Sequence, residues 1–202
     1  MQIFILSLPD ARERRLSALK KIRCSGLPYE IVDGVEAAKM RPECLAWDEH
    51  ARTWMKPGEV GCYLGHLRIL QRILDYDLPY ACVLEDDFCW ERQSHSRLLQ
   101  LESSLPENFH YIHLQRNLHL NPKYRIVSTE QHYWRIAETP LCSTGYVVER
   151  SLARFILDKH ASCKMPIDHL YAELSYRGRF YQPVQPLIGI ESGLASTIQA
   201  AV

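Results

Sequence analysis

Tyr80-Ala81-Cys82-Val83-Leu84-Glu85-Asp86-Asp87 runs from five residues suited to a buried strand straight into three consecutive acids. The apolar part has the length and composition of a strand enclosed on both faces. Three adjacent carboxylates repel one another, so a fold that gathers them usually offsets their charge with a cation or a ligand. In open α/β sheets, ligands sit at the carboxyl ends of the strands. Hard divalent cations such as Mg²⁺ or Mn²⁺ take oxygen ligands and bridge protein carboxylates to a diphosphate. A solvated acidic turn is the alternative reading of a bare triplet.

Upstream, Val60, Leu64, Leu67, Leu70 and Leu74 recur near helical spacing, which predicts a helix over 59–75 leading into the acidic strand. Residues 36–57, with Pro42, Trp47, Trp54 and Pro57, read as an irregular and often functional loop. The chain opens with a strand over 2–8. Asp10 and Glu13 follow in a capping-box pattern, Leu16, Leu19 and Ile22 share one helical face, and Gly26 is the stop. A short strand over 29–32, ending at Asp33-Gly34, completes the opening of an α/β unit. Downstream, 94–104 reads as helix, 111–114 as strand, 124–127 and 133–137 as a hairpin across 128–131, and 145–148 as strand. Ser151 is expected to cap a further helix, and Asp168 to begin a last short one stopped by Gly178. No repeat, low-complexity tract or Pro/Gly-rich linker divides the chain.

The 202 residues are 47% hydrophobic, which allows a substantial core and points to one domain with at most a small appendage. Lys+Arg 24 balances Asp+Glu 24, so no global field recruits nucleic acid and no such partner is expected. Basic residues do crowd the N-terminal segment (Arg12, Arg14, Arg15, Lys20, Lys21, Arg23), which suits a phosphate, an anionic membrane face or merely the solvated side of a helix. The seven cysteines include no C-x-x-C pair, so zinc is not expected. Their irregular spacing and their places inside apolar runs suggest a reducing compartment. No apolar run reaches the ~18 residues of a membrane span and no leader-like start is visible, so the expectation is a soluble cytoplasmic protein.

Glu59-Val60-Gly61-Cys62-Tyr63-Leu64-Gly65-His66 opens the helix before the acidic strand. Small residues along one side let a helix approach a neighbour or a ligand closely. The histidine suits either a hydrogen bond to phosphate or sugar or a structural role. This segment, followed about eighteen residues later by Leu84-Glu85-Asp86-Asp87, resembles glycosyltransferase family 25, which comprises bacterial lipooligosaccharide galactosyltransferases and their relatives among collagen galactosyltransferases. Ser7-Leu8-Pro9-Asp10-Ala11-Arg12-Glu13-Arg14-Arg15 looks like the family's N-D-R-x-x-E-R start, and Val32-Asp33-Gly34 like its V-D-G. Ser143-Thr144-Gly145-Tyr146-Val147-Val148 is similar to its G-T-x-G-Y segment, Pro166-Ile167-Asp168-His169 to its P-(I/V)-D element, and Ser196-Thr197-Ile198 to its closing S-x-I. The chain departs from the pattern at Ser7, where many members have Asn, and at Gly65, where a Ser usually precedes the His.

The resemblance implies an α/β fold: a single GT-A-like nucleotide-sugar-binding domain over 1–202, with a mixed, mostly parallel sheet flanked by helices. The C-terminal segment that often completes acceptor binding is then short or missing. The implied activity is an inverting, metal-assisted hexosyltransferase, a galactosyltransferase using UDP-galactose, acting on a sugar of a lipooligosaccharide or lipopolysaccharide core. A catalytically impaired, sugar-nucleotide-binding member of the family is the alternative. Transfer breaks the anomeric C–O bond through an oxocarbenium-like state, and Mn²⁺ or Mg²⁺ stabilises the leaving diphosphate. Asp87 is then the expected metal ligand, with Glu85 reaching the metal or the ribose. Asp86 points elsewhere in an extended segment and stays a donor-site candidate if the segment is a tight turn. Direct displacement needs one base. Asp168 is the choice, read otherwise as an N-cap, with His66 and His169 in reserve. Asp33 is a donor-site candidate or a simple turn residue, and Arg12 and Arg15 are candidates for the diphosphate. The implied partners are a UDP-hexose donor and a glycolipid or oligosaccharide acceptor, with transient contact to the inner membrane of a bacterium. A nucleotidyltransferase would also gather acids at a strand end, but it wants a Gly-rich loop after the first strand, and residues 7–25 contain no glycine.

Overall fold

The computed structural model describes residues 1–37, 47–48, 53–90, 94–115, 126–130, 132–137 and 141–191. The proposed closing element Ser196-Thr197-Ile198 and most of the 36–57 loop lie outside them. β1 (Ile3–Ser7) is buried along its whole length. Its side chains alternate, Ile3 and Ile5 packing with Ala18 and Ile22 of α1 (Arg12–Arg23), and Phe4 and Leu6 packing with Tyr63, Ile69, Leu70 and Ile73 of α2 (Pro57–Asp75). A strand covered by helices on both faces has no solvent side, which is why it reads as an unbroken apolar run.

β2 (Tyr29–Asp33) pairs parallel with one edge of β1, and β5 (Tyr80–Glu85) pairs parallel with the other. Beyond β5 come β10 (Gly145–Glu149), β7 (Tyr111–His113), β11 (Phe180–Pro183), β9 (Tyr133–Ile136) and β8 (Ile126–Glu130), completing an eight-stranded sheet of order β2-β1-β5-β10-β7-β11-β9-β8. β10 and β9 oppose the other six strands in direction. Leu98 and Leu101 of α3 (Ser94–Ser103) join the α1 face, whereas α4 (Arg150–Lys159) and α5 (Ile167–Ser175) join the α2 face. Two-stranded pairs, β3 (Trp47–Asp48) with β4 (Thr53–Trp54) and β6 (Phe88–Trp90) with β12 (Ile188–Ile190), flank this three-layer body. No described helix is long and apolar enough to cross a membrane.

Topology decides where a site can form. The chain leaves β1 through α1 to β2 on one side, then crosses back through α2 to β5 on the other. The crevice between the carboxyl ends of β1 and β5 is therefore the switch point of the sheet, where open α/β folds bind ligands. Ser7, Asp33 and Glu85 all end their strands on this edge.

Several local expectations are corrected. Asp10 does not cap α1; the N-cap is Ala11 without a side-chain bond, because residues 8–12 form a tight turn in which Ala11 N donates to Leu8 O and Arg12 N to Asp10 O. Leu16 is 58% exposed, so the buried stripe of α1 is Ala18 and Ile22. Glu149, rather than Ser151, caps α4 and accepts from Ser151 N. On α2 the fully enclosed face is Tyr63, His66, Ile69, Leu70 and Ile73, with Leu64, Leu67 and Leu74 at its margin. The hairpin forms, with its turn after Glu130. Strands β6, β11 and β12 have no counterpart in the sequence reading.

The small-residue face of α2 does what its composition implies. A Cβ on Gly61 would stand 2.3 Å from Val35 O, and one on Gly65 would stand 2.8 Å from Leu6 Cδ1. Gly65 in place of serine thus reflects the closeness of α2 to β1 over Leu6.

Candidate active site

Glu85 is the last residue of β5, and Asp86 and Asp87 form the turn into β6. The three carboxylates therefore diverge. Glu85 faces the α2 side, where its Oε1 accepts from Ser143 Oγ at 2.5 Å, lies 3.3 Å from His66 Nε2 and is 4.0 Å from Cys62 Sγ. Burial pushes its acidity constant up, and the larger opposing pull of His66, Ser143 and Arg14 leaves it below its ordinary value. Asp86 turns to the α1 side and is buried, its Oδ2 accepting from Ser7 Oγ at 2.7 Å and its Oδ1 from Arg14 Nε at 2.7 Å. Asp87 Oδ2 lies 3.1 Å from the same guanidinium, while its Oδ1 is buried without a partner. Burial, with Glu85 and Asp86 nearby, pushes the Asp87 carboxyl up to about 6 against the pull of Arg14.

The sequence reading places Arg14 only among the N-terminal basic residues, although a signal for its inward role is there. It precedes Ala18 and Ile22 by four and eight residues, so it shares the buried stripe of α1. Arg15 donates to Asp33 Oδ1 at 2.7 Å and to Ser7 O at 3.0 Å, and its Nε is buried without a partner. Asp33 is 62% exposed at its side chain, beside the crevice. Arg12 lies on the exposed side of the first turn of α1.

On the α2 side a cleft of about 320 Å³ is lined by Glu59, Cys62, Glu85, Ser143, Asp168 and His169, among others. Asp168 sits in the first turn of α5, whose N-cap position is held by Pro166. Its Oδ2 accepts from Cys142 N at 3.0 Å and its Oδ1 from His169 N at 2.9 Å. Cys142 has φ +107, a region costly for a residue with a side chain, and the bond to Asp168 helps hold it there. His169 is exposed at the cleft, whereas His66 is fully buried behind Glu85, with its Nδ1 2.7 Å from the Tyr146 hydroxyl. The structure thus brings Glu85 and Asp168 to one cleft and places Asp86, Asp87, Arg14, Arg15 and Asp33 along the neighbouring crevice. Ser143, Cys62 and Tyr146 complete the shell around Glu85 and His66. Cys62 and Tyr146 stand within matched segments, and Cys62 shares the His66 side of α2 at a spacing of four.

Lacto-N-neotetraose biosynthesis glycosyltransferase LgtE of Neisseria gonorrhoeae is 25% identical over 171 residues, 80% of this chain and 61% of that protein. Procollagen galactosyltransferase 2 of Mus musculus is 23% identical over 189 residues, 83% of this chain and 29% of that protein. The inactive glycosyltransferase 25 family member 3 of Homo sapiens is 32% identical over 110 residues, 50% of this chain and 18% of that protein. The chain therefore spans less than two thirds of the length of each of these relatives. In structure it is similar to a glycosyltransferase involved in the glycosylation of the major capsid of PBCV-1, with TM-score 0.56 and 9% identity over 96% of this chain and 93% of that one. That likeness concerns the fold, the GT-A-like α/β architecture of a mixed sheet between helices. Residues 1–171 match the family described as Glycosyltransferase family 25 (LPS biosynthesis protein), and the chain belongs to that family.

Proposed function

We propose that this chain is an inverting, metal-assisted glycosyltransferase that moves a hexose, galactose from UDP-galactose, onto a sugar of a lipooligosaccharide or lipopolysaccharide core. The observation that carries this reading is the buried, unpartnered Asp87 Oδ1 at the switch point of the sheet. A buried carboxylate oxygen without a partner is costly unless a ligand takes it up, and a hard oxygen donor suits Mn²⁺ or Mg²⁺. The hard oxygen donors of Asp87 and Glu85 suit such a cation. Asp87 would hold it with Oδ1 and Glu85 with Oε2, since the hydrogen bonds of Glu85 fall on Oε1. When bound, the cation offsets the charge that develops on the leaving diphosphate.

The remaining steps fall to the side chains of this chain. Asp168, oriented by two backbone N–H groups, takes the proton of the acceptor hydroxyl from the wall of the cleft. His66, enclosed between Tyr146 and Glu85, orients the Glu85 carboxylate without touching substrate. Arg14 holds the Asp86 and Asp87 carboxyl groups side by side. Arg15 and Arg12 meet the diphosphate, and Asp33 meets the ribose. The name of the procollagen galactosyltransferase relative supports galactose, and that of the lacto-N-neotetraose biosynthesis relative supports an oligosaccharide acceptor. An acceptor anchored in lipid brings the protein to an inner-membrane surface; absence of co-sedimentation with anionic vesicles at low salt would count against that contact.

The deciding experiment measures UDP release from UDP-galactose with and without Mn²⁺, in the unmutated chain and in Asp87→Ala, alongside UDP binding by calorimetry. Manganese-dependent release that disappears in the variant supports the reading. UDP binding without release favours a catalytically impaired member, a reading that the 32% identity to an inactive relative keeps in view. No UDP binding in either protein sinks the donor assignment.

A further inference from the structure

We propose that Cys62, His66 and Glu85 form a binding site for one thiophilic divalent cation of the Zn²⁺ type, distinct in its donor atoms from the oxygen site at Asp87. Cys62 Sγ, His66 Nε2 and a Glu85 carboxylate oxygen all lie within 4.8 Å of one another. Cys62 and His66 are four residues apart on α2, a spacing that puts two ligands on one face of a helix, and Glu85 closes the set from the end of β5. In a tetrahedral zinc site, N and O ligands about 2.0 Å from the ion stand about 3.3 Å from each other, and S and O ligands about 3.5 Å apart. Here Nε2 and Oε1 are 3.3 Å apart, and Sγ and Oε1 are 4.0 Å apart. The nitrogen and oxygen already stand at ligating separation, and the thiol, within 4.8 Å of the imidazole nitrogen, needs to close by about 0.5 Å on Glu85 and by no more than about 1.3 Å on His66.

The supporting contacts are those a metal ligand requires. A ligating imidazole usually bonds through its second nitrogen, and His66 Nδ1 lies 2.7 Å from the Tyr146 hydroxyl, which itself accepts from Tyr171 at 3.1 Å. The tautomer that leaves Nε2 free to ligate carries its proton on Nδ1, facing the Tyr146 oxygen. Ser143 Oγ anchors Glu85 Oε1 at 2.5 Å and borders the site, 4.0 Å from Cys62 Sγ. Cys62 and Glu85 line the cleft of about 320 Å³, so an ion has a route in. A Cys-His-carboxylate set is borderline-soft and favours Zn²⁺ or Co²⁺ over Mg²⁺. Binding replaces the thiol proton, which leaves to solvent. The sequence alone argued against zinc because no C-x-x-C occurs; this set is assembled by a helix turn and a strand end instead. Where the donor-site reading above holds, occupancy withdraws Glu85 from the sugar nucleotide, so Zn²⁺ opposes Mn²⁺-dependent transfer.

The test is a Co²⁺ titration of the full chain, followed by its thiolate-to-cobalt charge-transfer absorption. One equivalent is expected to give the band. Cys62→Ser is expected to abolish it, His66→Gln to weaken the affinity at least tenfold, and Cys142→Ser to leave it in place. Asp87→Ala is expected to retain the band even where it loses Mn²⁺-dependent UDP release, which separates this site from the proposed function. In the unmutated chain, Zn²⁺ is expected to slow alkylation of Cys62 at least tenfold, as read by peptide mass, while Mg²⁺ does not. A band that is absent, or that survives Cys62→Ser, overturns the site, as does Cys62 alkylation at an unchanged rate under Zn²⁺.

Discussion

The Arg14 guanidinium binds the middle acid of the triplet, with Nε 2.7 Å from Asp86 Oδ1, and extends a second nitrogen to Asp87. The side chains of Arg14 and Asp86 are 13% and 7% exposed, so this is an enclosed pair. Removing one partner of such a pair strands the other charge. Arg14→Ala is therefore expected to lower the unfolding free energy by about 3–5 kcal/mol in urea denaturation. Arg15→Ala breaks a pair whose aspartate is 62% exposed and is expected to change it by about 0–1 kcal/mol through that pair. Equal effects would mean that Arg14 is not the structural counter-charge of the acids.

Gly61 and Gly65 should respond differently to alanine. At Gly61 the new methyl meets a backbone carbonyl that has no rotamer to change, whereas at Gly65 it meets the tip of Leu6. Gly61→Ala is expected to cost about 1–3 kcal/mol. Gly65→Ala is expected to cost clearly less, because Leu6 can repack and alanine favours the helix by about 1 kcal/mol. Thermal melts of the two variants side by side decide this.

His113 makes stability depend on pH. Burial pushes its acidity constant down to about 4, and its Nδ1 is buried without a partner. The unfolded chain takes up that proton near pH 6.5 and the folded chain only near 4, so the unfolded state binds more protons between these values. The contribution of His113 is complete above pH 6.5 and is lost as pH falls toward 4, by up to about 1.4 kcal/mol per pH unit. Across pH 4–7 the unfolding free energy of the unmutated chain is expected to fall relative to that of His113→Leu as the pH drops from about 6.5 toward 4. Parallel curves would remove His113 from the account.

Asp168→Asn separates a chemical role from a local structural one. The amide oxygen can still accept from Cys142 N while the bond from the exposed His169 N is given up, so the melting temperature should fall only modestly. As a proton acceptor it fails, and sugar transfer is expected to fall by ~10²–10⁴, with UDP binding retained. A variant that melts early while its remaining folded fraction transfers sugar normally would reduce Asp168 to an anchor for the strained Cys142.

Legibility in the sequence followed the range of the interactions. Strands β1, β2 and β5 and helix α2 were readable because both-face burial and helical periodicity are local patterns, and the Glu59-to-Asp87 block carried the family. β6, β11 and β12 were not readable; Ile188–Ile190 is a strand because Phe88–Trp90 lies beside it, and Phe180–Pro183 because β7 and β9 offer their edges. The sequence by itself therefore determined the α/β class and the gathering of three acids at a strand end, whereas the parallel pairing of β1 with β5 came from the fold. Only the tertiary structure decided how those acids divide. Because β5 stops at Glu85 and the chain turns, Glu85 falls to His66 and Ser143 while Asp86 falls to Ser7 and Arg14, residues 19, 58, 79 and 72 positions away. Hydrophobic pattern is written along the chain, whereas hydrogen-bond partners are chosen by what the turn brings within about 3 Å.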